Sequence, residues 1–472
     1  MKKIILFFLF IPFLAFSQGN VLKKLDDKAN FYTDIAMQLW NNPELGYLEN
    51  ESSALLQQTL ADAGFQVEAG VADIPTAFVA EYGSGSPIIG IMAEFDALPG
   101  VSQKAVPYRE PVIEGGSGHA CGHHLFGAAS VASAISAKEW LEENGIQGTI
   151  RLYGTPAEEG GGGKVYMAKS GIMDDVDAML HWHPGSGNGA SAASSLANIS
   201  TKFRFYGEAS HAAAAPERGR SALDGVEAMN FMVNMLREHV PQETRMHYVI
   251  TSGGEAPNVV PAFAESYHYV RHPDARKVKE IFDRMVEIAE AAAKGTNTEM
   301  EYEIINGVYN ILPNETLSKF MHANLETVGG LEYTPEERKF AEEIISTYPP
   351  GVIVSPDDAK EIEPFRVIEK GTGGSTDVGD VSWLVPTAGL RVATWVPGTS
   401  AHTWQAVAAG GMSIGAKGMM VAAKTMSLTA IDLFQNPEAV AQAKEELNRR
   451  RGADFKYQAL TGDREPPLDY RK

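Results

Sequence analysis

From residue 76 the sequence alternates strand-like and helix-like stretches, and this limits the folds open to it more than any other feature. TAFVAEYG (76–83) and PIIGIMAEF (87–95) read as strands, the second apolar enough to be a buried central one. LFGAASVASAISAKEWLEENG has the Ala, Leu and Glu content of a helix, closed by Gly145. GTIRLYG and VDAMLHWH are the next strands, and residues 22–40 and 50–64 upstream carry the pattern of amphipathic helices. This order predicts an α/β fold around a central mixed sheet. From about residue 199 the pattern becomes β-α-β-β-α, ending near the strand MEYEIING. That block, 199–312, predicts a smaller α+β domain inserted into the first, serving as a lid or dimerisation domain. The main domain is then built from 18–198 and 313–472.

The chain opens with MKKIILFFLFIPFLAFS, in which Lys2 and Lys3 precede an eleven-residue apolar run and a small-x-small site. This predicts a signal peptide over 1–17, hence an exported protein, periplasmic or secreted. The run is too short to span a membrane, which takes about 20 residues, so no membrane span is expected in the mature protein. A formal charge of −20 argues against nucleic acid as a partner. The single cysteine, Cys121, cannot form an internal disulfide. In an oxidising compartment a lone thiol needs burial or a bound metal to protect it.

Cys121 lies in GHACGHH, with His119, His123 and His124 around it. Cys121 and His123 are two residues apart and share no helix face, so they converge only in a turn or extended segment. A helix starts directly after them, and Gly118 and Gly122 tighten the loop, an arrangement that suits two metal ligands. TPAEEGGGGK follows a strand and presents Glu158 and Glu159 side by side. In extended chain their side chains diverge, so one can bind metal while the other faces an activated water as general base. Taken alone, such a pair is ordinary solvated loop. His181 and His183 in HWHPG project from one side of a strand end, and SAHTWQ supplies His402. Together these groups match a hydrolytic metal site.

NNPELGYLE (41–49), AEFDALPG (93–100), GHACGHH, TPAEEGGGG, HWHP, GEASHAAAAPERGRSALD (207–224), GGEAPNVVP (253–261), STDVGDVSW (375–383) and HTWQ run in order across nearly the whole mature chain. On these motifs the sequence resembles the M20 metallopeptidase and amidohydrolase family, in particular its p-aminobenzoyl-glutamate hydrolase branch, in the form of that enzyme's B subunit, and the plant-type auxin-conjugate amidohydrolases. The resemblance implies amide hydrolysis with two divalent metal ions, zinc or manganese, held by Cys121, His123, Glu159, His181 and His402. It puts the general base on Glu158, and on Asp96 a carboxylate that orients a ligating imidazole. His119 and His183 are expected outside the ligand set, as supporting or packing residues. Two positions depart from the auxin-conjugate pattern: His124 stands where Asp is expected, and Trp40 where His is expected. The first leaves open what supports His123.

The resemblance further implies that His211 donates to the tetrahedral oxyanion. Asn258 and Arg271 would hold the free carboxylate of the substrate's amino-acid part. The loop 101–118 is a candidate lining for the acyl pocket. The implied substrate is a small N-acyl or N-aroyl amino acid of the p-aminobenzoyl-glutamate kind. A homodimer formed through the inserted domain is expected, with His211 completing the partner's site, and a second, different subunit is a further candidate partner. The competing readings are an M20 dipeptidase or carboxypeptidase cleaving a dipeptide, a cysteine hydrolase using Cys121, and a homologue that binds without catalysis.

Overall fold

A computed structural model of the protein describes residues 11–371 and 373–471. The leader expected over 1–17 lies outside the described residues as far as position 10, and the helix Ile11–Asp27 begins within its last part.

The main domain carries β1 (Gln66–Ala69), β2 (Phe78–Ser84), β3 (Ile88–Ala93), β4 (Gly148–Gly154) and β5 (Ala178–Gly185). The short β6 (Ala192–Ala193) leads into the inserted domain, with β7 (Ala197–Tyr206), β8 (Arg245–Ser252), β9 (Phe263–His272) and β10 (Glu299–Val308). The chain returns through β11 (Val367–Ile368), paired with β6, and β12 (Thr387–Ala393).

The main sheet has the order β1-β2-β4-β3-β5-β12. β3, β4, β5 and β12 run parallel to one another while β2 runs antiparallel to its neighbours β1 and β4, so the sheet is mixed. The apolar β3 sits inside it, and its Ile89, Ile91, Met92 and Ala93 are fully buried. Helices His123–Asn144 and Ser413–Gln435 pack against each other and against the sheet. Small residues let them approach closely: a Cβ at Gly418 would lie 2.4 Å from the Ala393 carbonyl oxygen. Parallel strands have one functional consequence. Their carboxyl ends open on the same side, where loops can converge on a site.

The inserted domain is a four-stranded antiparallel sheet, β10-β7-β9-β8. Helices Ala222–Leu236 and Ala275–Thr296 cover one face, closing a core that includes Phe203, Phe205, Val226, Met229 and Phe282. Along the second half of β9, His268 and Val270 are buried while Tyr267, Tyr269 and Arg271 stand half-buried on the other face.

One element differs from the sequence reading. The helix expected over 22–40 is broken at Lys28 (φ −101, ψ 5), giving Ile11–Asp27 and Ala29–Asn41. The chain after helix Pro437–Arg451, which carries no periodic pattern, forms a strap across both domains. Tyr457 donates to Asp380 (2.8 Å), and the Gln458 carbonyl accepts from Tyr309 (2.9 Å). The Arg464 guanidinium donates to the Ile304 carbonyl (2.6 Å) and to that of Ile305 on β10. At the far end, Tyr470 and Arg471 donate to the Glu159 carbonyl at 3.1 and 2.8 Å.

Candidate metal centre

The loops after β3 and β4, the end of β5 and the turn before helix His123–Asn144 meet on the side where the parallel strands end. Cys121 sits in that turn, and Gly122 lets the turn form: its φ is +77, and a Cβ there would lie 2.6 Å from Pro184. Three overlapping sets of potential metal-binding atoms lie within 4.8 Å of one another: Cys121, His123 and His183; Cys121, Glu159 and His402; Glu94, His123 and Glu158. Cys121 and His123 each belong to two of these sets.

His123 is fully buried and flanked by carboxylates, with Asp96 Oδ1 2.9 Å from Nδ1 and Glu94 Oε2 3.1 Å from Nε2. The other Asp96 oxygen accepts the Glu159 N–H at 2.9 Å, so one carboxylate orients the imidazole and the peptide of Glu159 together. Burial alone would raise the Asp96 carboxyl, but the His123 charge and these hydrogen bonds hold it below its ordinary value. Lys164, also fully buried, reaches Glu94 at 2.8 Å and Asp377 at 2.7 Å.

Burial raises the Glu158 carboxyl well above its ordinary range, and the Glu94 and Glu159 charges add to this. Glu159 Oε1 and His402 Nε2 are 3.0 Å apart, and His402 is fixed by its N–H to the Ala120 carbonyl. Glu94 Oε2, His123 Nε2 and Glu159 Oε1 are buried without a hydrogen-bond partner. Close approach with misdirected lone pairs is what ligands of a common cation show, so these residues fit a metal centre.

The HWHP segment needs a correction, because His183 and not His181 lies in this group. Both project from one face of β5, but the strand runs on to Gly185, so position 183 reaches the rim. His183 Nε2 is 3.4 Å from Cys121 Sγ, and its Nδ1 is 2.7 Å from the Pro184 carbonyl, which leaves the Nε2 lone pair toward the sulfur. His181 lies one pleat deeper over Gly389 of β12, where a Cβ would come within 2.2 Å of its ring. Burial lowers its pKa to about 4.

His119 and His124 lie behind the site, their rings 4.9 Å apart, facing the carbonyls of Leu39 and Gly410. His124 therefore turns away from His123, whose supporting carboxylate is Asp96. Trp40 donates to the Val407 carbonyl at 3.1 Å.

The inserted-domain residues stand apart from this group. His211 is exposed, its Nδ1 accepting the N–H groups of Ala213 and Ala214 at 3.2 and 3.1 Å. Asn258 is exposed, and its carbonyl accepts the Ala212 N–H. The Arg271 guanidinium lies 5.3 Å from the Tyr269 ring, with a buried Nε that has no hydrogen-bond partner. The loop 101–118 exposes Tyr108, Val112 and Ile113.

Sequence reasoning missed Glu94, Lys164 and Asp377. All three stand inside or beside quoted motifs, and Glu94 was within reach, since it lies two residues before Asp96.

A profile of peptidase family M20/M25/M40 matches residues 90–354. The B subunit of p-aminobenzoyl-glutamate hydrolase from Escherichia coli (strain K12) is 41% identical over 444 residues, 88% of this chain and 91% of that protein. The Xaa-Arg dipeptidase of Mus musculus is 28% identical over 92% of this chain and 93% of its own length. Among solved structures, the aminobenzoyl-glutamate utilization protein from Klebsiella pneumoniae superposes with a TM-score of 0.60 at 17% identity, covering 87% of this chain and 97% of that one. A dinuclear metal binding peptidase of the M20 family from Bacillus subtilis gives 0.58 at 17% identity, covering 87% and 99%. At that identity both structures speak to the shared fold.

Proposed function

Because the chain belongs to peptidase family M20/M25/M40 and is a metal-dependent hydrolase of amide bonds, we propose that its substrate is an N-aroyl or N-acyl amino acid of the p-aminobenzoyl-glutamate kind. The observation that carries this reading is the 41% identity, over most of both chains, to a hydrolase named for that substrate. The test is hydrolysis of aminobenzoyl-glutamate, other acyl-amino acids and simple dipeptides, each with and without a chelator. Preference for the aroyl-glutamate, lost on chelation and restored by zinc or manganese, is the expected result. Preference for dipeptides ending in arginine would instead favour the activity of the Xaa-Arg dipeptidase relatives.

Cys121, His123, His183, Glu159 and His402 are the residues that would hold two divalent ions. Such ions lower the pKa of a water and polarise the scissile carbonyl. Glu158 takes the proton of the attacking water and hands it to the leaving amine. Asp96 keeps His123 turned so that Nε2 faces the site.

Arg271, with Asn258, is the proposed clamp on the substrate's free carboxylate, and its Nε without a hydrogen-bond partner supports this. Arg271→Ala is expected to weaken substrates bearing that carboxylate by about 1.5 to 3 kcal/mol, roughly ten- to a hundredfold in kcat/KM. Amide analogues should change little, and equal losses on both would make Arg271 structural.

We also propose a homodimer in which His211 serves the partner's site. The unpaired edge strand β8 exposes Val249 and Ile250, and the neighbouring helix Ala222–Leu236 exposes Phe231 and Met235, a surface suited to a second copy. Glu158→Gln and His211→Ala chains, each inactive, are expected to regain about a quarter of wild-type activity when refolded together. Half of the dimers are then mixed, and one of the two sites in each is intact. No recovery in a mixed dimer shown to form would put His211 in cis or outside the mechanism. The similarity to both the A and the B subunits of the Escherichia coli hydrolase supports a related second chain as a further partner. The leader supports export to the periplasm or beyond.

A further inference from the structure

The residues around His123 pose a problem of hydrogen-bond roles. Asp96 Oδ1 lies 2.9 Å from Nδ1 and can only accept, so Nδ1 carries the ring proton and a neutral ring has its lone pair on Nε2. Glu94 Oε2, another acceptor, stands 3.1 Å from that Nε2. Neither atom has a hydrogen-bond partner, and both residues are at most 1% exposed. Unless a proton or a cation stands between them, two lone pairs face each other at hydrogen-bond distance in a buried site.

The Glu94 carboxylate is also held in place. Lys164 Nζ takes its other oxygen at 2.8 Å, and Asp377 anchors Lys164 through both the ammonium (2.7 Å) and the backbone N–H (2.9 Å). Oε2 is therefore directed at His123, and Glu158 completes the set of three within 4.8 Å.

From this geometry we infer that Glu94 is an additional ligand of the metal centre, contributing Oε2 to the ion that His123 binds through Nε2. The inference rests on the metal-dependent reading above and deepens it. An added carboxylate oxygen makes that position harder and shifts its preference toward manganese and away from thiolate-favoured zinc. Lys164 acts as a positioning residue that keeps the second oxygen of Glu94 occupied, so that only one faces the ion.

The test is equilibrium dialysis of the full chain with Mn²⁺ and separately with Zn²⁺, with bound metal read by elemental analysis, for wild type, Glu94→Gln and Glu94→Asp. Glu94→Gln is expected to weaken Mn²⁺ at one of two positions by at least about tenfold and Zn²⁺ by less, lowering the Mn/Zn ratio. Glu94→Asp keeps the charge but withdraws the oxygen by one methylene. It is expected to lose Mn²⁺ affinity in the same sense, and it carries the test alone if Glu94→Gln does not fold.

Wild-type affinity for both ions in a folded variant overturns the assignment even if hydrolysis is lost, and leaves Glu94 as partner of a protonated His123. Equal weakening of both ions, with the Mn/Zn ratio unchanged, overturns it too and makes Glu94 a support for the ring. An active wild-type protein that binds neither ion would instead sink the metal-dependent reading itself.

Discussion

Glu158→Gln is expected to lower turnover by about two to four orders of magnitude while the metal content of the protein stays unchanged. Glutamine preserves shape and volume but cannot accept the proton of the attacking water. The site makes this proton transfer sensitive to charge, since burial, Glu94 and Glu159 all favour the protonated form of Glu158. Positive charge from bound ions would act in the opposite sense and favour the base form. Single-turnover assays of the variant, with metal analysis of the same sample, check the prediction. Near-normal turnover would move the base elsewhere.

The second large effect is on stability. Lys164→Met leaves Glu94 and Asp377 buried without the ammonium that now lies within 2.8 Å of each. Removing one member of a buried ionic group costs about 3 to 5 kcal/mol, roughly a hundredfold to a few thousandfold in the folding equilibrium. The midpoint of urea unfolding should fall accordingly. Adding Asp377→Asn to Lys164→Met should recover part of the loss, because one uncompensated charge is then gone. An unchanged midpoint in Lys164→Met would mean that the two carboxyls take up protons at little cost.

Much of this fold was legible where local pattern and tertiary role agree. The helix Ala275–Thr296 matches its expected limits closely because one face is buried and the other is not, and the strand GTIRLYG does so as a largely buried inner strand bounded by glycines. The site was legible as a set of motifs in order, but less so as geometry. His181 and His183 share a face of β5, and only the strand's length decides which one reaches Cys121. Glu94 was within reach two residues before Asp96, but what sets it apart from other acids beside strands is its contact with Lys164, seventy residues later. The closing segment carries no periodic signal, because its contacts are to distant carbonyls and not along its own length.

That segment bears on how the molecule can bend. The inserted domain joins the rest of the chain at two crossings, before Ala197 and after Val308, and contacts such as Lys370 with Glu243 and Arg276 over the Trp383 ring tie it further. The strap adds a longer tie. Arg464 grips β10 several residues up from the crossing, while Tyr470 and Arg471 grip the carbonyl of Glu159 at the other end. A swing of the inserted domain must therefore release one grip or pull on the backbone beside Glu158. The strap in this way ties the position of the inserted domain to the stretch of backbone that carries Glu158 and Glu159.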